Sequence, residues 1–314
     1  MKLVIIEPLG VEKEKLLSMA KEALGDRTEI VYYDTRTADT DELIGRGKDA
    51  DIIVVSNLPL NAQVIEGCRN LKLLSVAFTG VDHIAVDVCR ERGITVCNCA
   101  GYSTCAVADL VFGMLISLYR NVIPCDRVCR QGGTKDGLTG FELEGKTFGV
   151  VGTGAIGLRV ASIARAFGCR VLAYSRTVKD VPGVTYTDLE TLLKESDIVS
   201  LHTPLTEETR GLMNRERIGL MKKSAVLINT ARGPVVDSEA LAEALKEGKI
   251  AGACVDVFEK EPPVEKDHPL FSVPNTIVTP HVAFATKEAL VKRAVTVFAN
   301  VAAYLDGRPQ NVMK

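Results

Sequence analysis

Short apolar runs alternate with stretches of helical period from the first residue onward. A run of four to six apolar residues bounded by polar or turn residues fits a strand buried on both faces. The longer stretches between, with apolar residues three and four apart, fit helices that cover such a sheet. In the first hundred residues the predicted strands are 3–6, 29–32, 51–55, 71–76 and 94–96, with helices at 13–24, 62–68 and 86–92. That alternation describes one small doubly wound parallel unit.

An apolar-rich helical stretch from Ser103 to about Arg130 follows, broken in period only by Pro124, and leads into a Gly-rich segment ending at Gly145. It reads as a crossing between domains. A second series then begins, with predicted strands at 147–151, 170–174, 198–201, 225–229, 252–257 and 276–278 and helices at 156–167, 188–194, 215–220 and 238–247. Six strands in this order make two mononucleotide-binding halves. The last periodic stretch, 287–306, has no strand to pair with and is expected to return to the first domain.

Composition narrows the function classes. A length of 314 residues suits two domains. Apolar content of 46% and charged content of 25% are ordinary for a packed globular protein. With 38 basic against 40 acidic residues and no Lys/Arg run, the chain lacks the electrostatic footprint of a nucleic-acid binder. The opening apolar run stops at Glu7, too short for a signal peptide core or a membrane span, so a cytoplasmic protein without membrane partners is expected. The nine cysteines, an odd number without paired C-x-x-C spacing, read as reduced thiols. Cys97 with Cys99, or Cys125 with Cys129, is expected to be packing rather than a metal site, because no histidine or second pair completes a tetrahedral set.

The sharpest motif is Gly152-Thr153-Gly154-Ala155-Ile156-Gly157, which follows the buried run 148–151 and opens a helix. Gly152 permits the tight turn, Gly154 lets backbone approach a pyrophosphate, and Gly157 allows close helix–strand packing, while the helix start offers unpaired N–H groups. This predicts a Rossmann dinucleotide-binding domain over residues 101–286. A flavodoxin-like substrate domain would then comprise residues 1–100, completed by the C-terminal helix 287–314. After the next strand stands Ser175-Arg176-Thr177, where an NAD site usually has a carboxylate for the ribose 2′-OH. A guanidinium flanked by hydroxyls suits a 2′-phosphate, so the cofactor expected is NAD(P)(H), leaning to NADP(H).

Three later segments place polar groups at predicted strand ends, where open α/β sheets bind ligands: 229–233, 255–262 and 279–281. Arg232 can hold a carboxylate with two parallel hydrogen bonds. His281 is the candidate proton donor near neutral pH, and Glu261 can orient its imidazole. By pattern alone, these three could each be ordinary surface or capping residues. His83 and His202 read as structural or cofactor-adjacent, and His268 as a loop residue.

Taken in order, Phe78-Thr79-Gly80-Val81-Asp82-His83, the glycine loop, His202-Thr203-Pro204-Leu205-Thr206, Asn229-Thr230-Ala231-Arg232-Gly233, Glu261-Pro262 and Thr279-Pro280-His281 resemble the D-isomer-specific 2-hydroxyacid dehydrogenase family over nearly the whole chain. The resemblance implies an oxidoreductase that moves a hydride between NAD(P)(H) and a small 2-keto or 2-hydroxy acid. It gives Arg232 to the substrate carboxylate and carbonyl, His281 to acid–base catalysis, and Glu261 to pairing with that histidine. Phe78, Thr79 and Gly80 are implied to meet the substrate carboxylate. His202, Thr203, Pro204, Thr230, Ala231 and Asp256 are implied to face the cofactor, Asp256 on its nicotinamide side. A homodimer built on the 103–130 helix is implied as well.

Two positions depart from the commoner family pattern: Phe78 stands where a small residue is frequent, and Ala100 where a proline often precedes Gly101. Phe78 either narrows the pocket or packs beneath it. Within the family, Ser175-Arg176-Thr177 resembles the NADP-using glyoxylate and hydroxypyruvate reductases. The alternatives are a short phosphoglycerate dehydrogenase and, in a different class, a co-repressor-like protein that senses NAD(H) without turnover.

Overall fold

Runs such as Ile52–Val55 and Val226–Asn229 have no residue with appreciable exposure, and in the computed structural model of this chain, which describes residues 1–313, they are inner strands of two parallel sheets. The molecule divides into one unit of residues 1–103 and 285–313 and a second of Thr104–Phe284.

In the first unit, β1 (Lys2–Ile5), β2 (Glu29–Tyr32), β3 (Ile52–Val55), β4 (Leu73–Val76) and β5 (Thr95–Cys97) form a five-stranded sheet in the order β2-β1-β3-β4-β5. All neighbours run parallel. This is the 2-1-3-4-5 winding of flavodoxin-like folds. The helices are α1 (Lys13–Leu24), α2 (Thr40–Gly47), α3 (Ala62–Gly67) and α4 (Val86–Glu91). Helix α2 is absent from the sequence reading, although Asp39 caps it by accepting from the Glu42 amide at 2.8 Å. An Asp followed three residues later by Glu is a helix-start signature, and it stood in the sequence.

The second unit carries β6 (Thr147–Val151), β7 (Arg170–Tyr174), β8 (Val184–Tyr186), β9 (Ile198–Leu201), β10 (Val226–Asn229), β11 (Gly252–Val255) and β12 (Thr276–Val278). Their order is β12-β11-β10-β9-β6-β7-β8, again all parallel. Read from β8, this is the 3-2-1-4-5-6 Rossmann winding with a seventh strand added. The sequence reading expected six strands and missed β8, a half-exposed edge strand of three residues, too short to show a period. Successive residues serve opposite faces: Leu227 and Val255 join one buried cluster, Val226, Ile228 and Cys254 the other.

The predicted long helix is two. Helix α5 (Thr104–Tyr119) and α6 (Val122–Arg130) meet at 57°. The break falls at Asn121, left-handed at φ 52°, and not at Pro124. Pro124 lies in the first turn of α6, where the missing N–H has no helical partner to lose. No single helix among the described residues is long and apolar enough to cross a membrane.

The remaining helices of this unit are α7 (Ala155–Ala166), α8 (Leu189–Glu195), α9 (Arg215–Gly219) and α10 (Ser238–Lys246). Helix α11 (Lys287–Leu305) belongs to the first unit, where it packs on α1 and β4. The 287–314 range expected for it extends beyond the helix, and its last residue, Lys314, lies outside the described residues.

Candidate active site

Residues that sequence places at strand ends meet at the carboxyl edge of the second sheet. The glycine loop leaves β6 with Gly152 at φ 97°, a left-handed value open to glycine alone at low strain. A Cβ there would stand 2.6 Å from the His202 carbonyl oxygen, and one on Gly157 would stand 1.9 Å from that of Gly152. The loop is therefore closed against β9 and against its own helix, α7, whose N-cap is Gly154.

Three hydroxyls near the ends of adjacent strands, those of Thr153, Thr203 and Thr230, are buried and have no protein partner. Buried hydroxyls normally find one, and three such orphans at the crevice where strand order reverses are what a polar ligand would satisfy. They fit a nicotinamide dinucleotide. His202 lies in the same region: its Nε2 is 2.9 Å from Ser200 Oγ, and burial pushes its imidazole down to about 3, so it stays neutral at physiological pH.

At the end of β7, Arg176 pairs with Glu208 at 3.1 Å, both side chains being exposed, and Lys179 Nζ donates to the Thr153 carbonyl oxygen at 2.8 Å. Lys179 was not among the sequence candidates, although its spacing from Arg176 could have suggested it. Ser175, half-buried, and Thr177, exposed, flank Arg176 after β7.

The turn after β10 is fixed by Asn229, whose Oδ1 accepts from the Ala231 amide at 3.1 Å and whose Nδ2 donates to the Arg232 carbonyl at 2.9 Å. Arg232 is thus presented from a closed turn, with its Nη1 donating to the Ala231 carbonyl at 2.7 Å. A Cβ on the next residue, Gly233, would lie 2.0 Å from the Phe258 carbonyl carbon. The backbone beside Arg232 therefore rests directly on the segment that leads to Glu261.

Glu261 Oε2 accepts the Phe258 N–H at 3.1 Å, and Oε1 pairs with His281 Nδ1. That pairing turns Nε2 away from the carboxylate, as the nitrogen for proton exchange. His281 itself has φ 52°, a rare value outside glycine, held by its N–H donating to the Asp256 carbonyl at 2.7 Å.

Asp256, implied by the resemblance to lie on the nicotinamide side, has in addition a structural part that no motif marked. The residue has no exposed surface. Its carboxylate accepts from Thr279 Oγ1 at 2.5 Å and from the Val282 and Ala283 amides at 2.9 Å each. Burial pushes this carboxyl above its ordinary range against those hydrogen bonds. Asp256 is the post around which the His281 turn is wound, with its side-chain oxygens committed to that turn.

In the first unit, Phe78, Thr79 and Gly80 follow β4. Phe78 is buried, with ring centroids 6.3 Å from His83 and 6.4 Å from Tyr102, so of its two readings it takes the packed one. Asn98 Nδ2 donates to the Thr79 carbonyl at 2.8 Å and the Cys99 amide to that of Phe78 at 2.9 Å. Asn300 Nδ2 donates to the Asn98 carbonyl, and Asn311 Nδ2 to Asn300 Oδ1, each at 2.8 Å. No sequence motif marked this asparagine chain.

Cys97 and Cys99 are buried, whereas Cys125 is half-buried and Cys129 exposed on α6, which corrects the expectation that the second pair is packing. Among the described residues no group of three or more His, Cys, Asp or Glu is arranged to hold a metal ion.

A glycine-closed βα turn on a Rossmann sheet, with an Arg, a Glu–His pair and orphan hydroxyls at its carboxyl edge, defines a nicotinamide-dependent oxidoreductase. Residues 112–283 match the family model described as D-isomer specific 2-hydroxyacid dehydrogenase, NAD binding domain. The chain is 43% identical to a glyoxylate reductase of Thermofilum pendens over 83% of its length and 80% of that protein. It is 41% identical to a hydroxypyruvate reductase of Thermotoga maritima over 90% of its length and 91% of that protein. Among solved structures, D-lactate dehydrogenase from Aquifex aeolicus, complexed with NAD and lactic acid, superposes with a TM-score of 0.85 at 35% identity, covering 98% of this chain and 96% of that one. The chain belongs to the D-isomer specific 2-hydroxyacid dehydrogenase family.

Proposed function

We propose that the protein reduces a small 2-keto acid, glyoxylate or hydroxypyruvate, to the D-2-hydroxy acid with NADPH. The observation that carries this reading is the His281–Glu261 pair, set on a turn wound around Asp256 in the same unit as the glycine loop and Arg232.

The Gly152–Gly157 turn and the start of α7 would receive the pyrophosphate, and the Thr153, Thr203 and Thr230 hydroxyls would gain the partners they lack. His202, Pro204 and Ala231 belong to the same surface. Bound nicotinamide supplies the hydride. Arg232 holds the substrate carboxylate and polarises the carbonyl, and protonated His281 delivers the proton to the carbonyl oxygen from Nε2. Glu261 keeps Nδ1 protonated and stabilises the imidazolium; in the reverse direction neutral His281 is the base. Reduction therefore draws on the protonated form of the His281–Glu261 pair and oxidation on the deprotonated one. In the first unit, Phe78, Thr79 and Gly80 are assigned to the substrate by backbone groups, since the Phe78 side chain is packed.

The preference for NADPH rests on the two cations after β7, Arg176 and Lys179, with Ser175 and Thr177 beside them and no carboxylate between Tyr174 and Lys179. A homodimer is supported by α6, which buries none of its nine residues and exposes Val122 and Ile123, with Phe141 63% exposed nearby.

The test is NADPH and NADH oxidation by purified protein with glyoxylate, hydroxypyruvate, pyruvate, phenylpyruvate and 3-phosphohydroxypyruvate, alongside His281→Ala. Expected is turnover of one of the first two with NADPH, reduced about 10²–10⁴-fold in the variant. Turnover confined to 3-phosphohydroxypyruvate would make it a phosphoglycerate dehydrogenase instead. Cofactor binding without turnover of any acid would leave a redox-sensing binding protein.

A further inference from the structure

The loop between β11 and β12 carries a second histidine–carboxylate pair that the mechanism above does not use. His268 Nε2 lies 3.0 Å from Glu259 Oε2, with the imidazole only 9% exposed. Its Nδ1 accepts the Leu270 N–H at 3.4 Å, which leaves Nε2–H as the donor to Glu259. Phe258 and Phe271 meet the ring at centroid distances of 4.9 and 5.4 Å. Burial raises the Glu259 carboxyl, but His268 and Ser238, which stands at the start of α10, outweigh it and hold it below its ordinary value. The three polar residues line one cavity beside α10, shared with Asp237, Glu239 and the Lys260–Glu265 ion pair at 3.0 Å.

Two catalytic groups hang from the segment this network anchors. The Phe258 amide fixes Glu261 through Oε2. The Phe258 carbonyl and the Glu259 nitrogen abut Gly233 so closely that a Cβ there would lie 2.0–2.5 Å from them, and Gly233 directly follows Arg232. A shift of the 258–259 peptide therefore moves Arg232 and Glu261 together, and His281 with Glu261.

We propose that Ser238, Glu259 and His268 are positioning residues that hold the Phe258–Glu259 peptide, and through it Arg232 and Glu261, in register for the reaction. The inference rests on the roles assigned above to Arg232, Glu261 and His281. Placement of catalytic groups to within a fraction of an ångström is worth about 10²-fold in rate per ångström, so loss of the anchor is read in kcat.

The experiment compares His268→Ala, His268→Gln, which keeps an N–H for Glu259, and Ser238→Ala. For each it follows kcat and KM separately, the pH profile of keto-acid reduction, NADPH affinity, and amide hydrogen exchange at 258–261. Expected for His268→Ala is a tenfold or greater fall in kcat and displacement of the high-pH limb of reduction to lower pH. Exchange at 258–261 should quicken, and NADPH affinity should stay within twofold. His268→Gln should recover most of kcat, and Ser238→Ala should show the same changes in smaller measure. Wild-type kcat and pH limb in folded His268→Ala, or equal losses in the alanine and glutamine variants, would overturn the proposal. If His268→Ala does not fold, unchanged kcat and pH limb in Ser238→Ala overturn it, because that change leaves the aromatic packing intact. Should the wild type turn over none of the acids, the functional reading fails by itself. Hydrogen exchange then still decides whether the network anchors the peptide.

Discussion

Replacing Gly233 by alanine should disable turnover while leaving the dinucleotide loop able to bind. The added Cβ would meet the Phe258 carbonyl carbon at 2.0 Å, its oxygen at 2.2 Å and the Glu259 nitrogen at 2.5 Å, all backbone atoms with no rotamer to relieve them. Restoring ordinary contact at 3.4 Å needs a displacement of about 1.4 Å between the Arg232 turn and the Phe258–Glu259 segment. Overpacking of this kind destabilises by about 1–3 kcal/mol, a fall of roughly 2–10 °C in melting temperature for a unit of this size. A misplacement near 1 Å at the reacting groups lowers kcat/KM by about 10², or about 2.7 kcal/mol of transition-state stabilisation. The glycine loop leaves β6, away from the clash, so NADPH affinity followed by nucleotide fluorescence should change by less than about threefold. The assay is steady-state reduction of whichever keto acid the wild type prefers, with thermal unfolding in parallel. A folded Gly233→Ala protein with kcat/KM within threefold of wild type would refute the claim that this backbone contact sets the Arg232–Glu261 geometry.

Two other perturbations probe separate features. The His202 imidazole, lowered from 6.5 to about 3, binds a proton in the unfolded chain before it does so in the folded one. Stability is therefore full above about pH 6.5 and declines as pH falls toward 3, by up to about 3 kcal/mol at pH 4. Urea unfolding of the wild type and His202→Asn at pH 7 and pH 4.5 should show the larger loss in the wild type, and equal losses would count against a neutral buried imidazole. At the cofactor, Arg176→Ala should lower the NADPH-to-NADH ratio of kcat/KM at least tenfold, whereas Glu208→Gln, which frees Arg176 from its 3.1 Å ion pair, should raise it. A ratio unmoved by both would remove Arg176 from 2′-phosphate recognition.

The asparagine chain and the Asp256 post illustrate why local reading stops where it does. Asn98, Asn300 and Asn311 come together only because α11 packs on β4 and brings the C-terminal segment alongside β5. Arg293 is likewise buried, with Nη1 donating to Ser56 Oγ at 3.0 Å and Nη2 to the Leu9 carbonyl at 2.6 Å, partners more than 230 residues distant. Nothing in a window of sequence distinguishes such residues from solvated polar positions on an amphipathic helix. His268 read as an ordinary loop residue for the same reason: its partner Glu259 lies 9 positions away and carries no spacing rule.

What the sequence by itself determined were the features written in short-range patterns. Continuous apolar tetrads for doubly covered parallel strands, the βα glycine turn, and an Asn, Arg, Glu and His at strand ends all follow from backbone sterics and burial within a few residues. The tertiary structure decided how those groups act on one another. It wound the His281 turn around Asp256, closed Nδ1 onto Glu261, seated Gly233 on the Phe258 peptide and left three buried threonine hydroxyls without a protein partner. Hydrogen bonds and sub-ångström packing depend on atoms brought together across many residues of chain, and that information exists only once the core has closed.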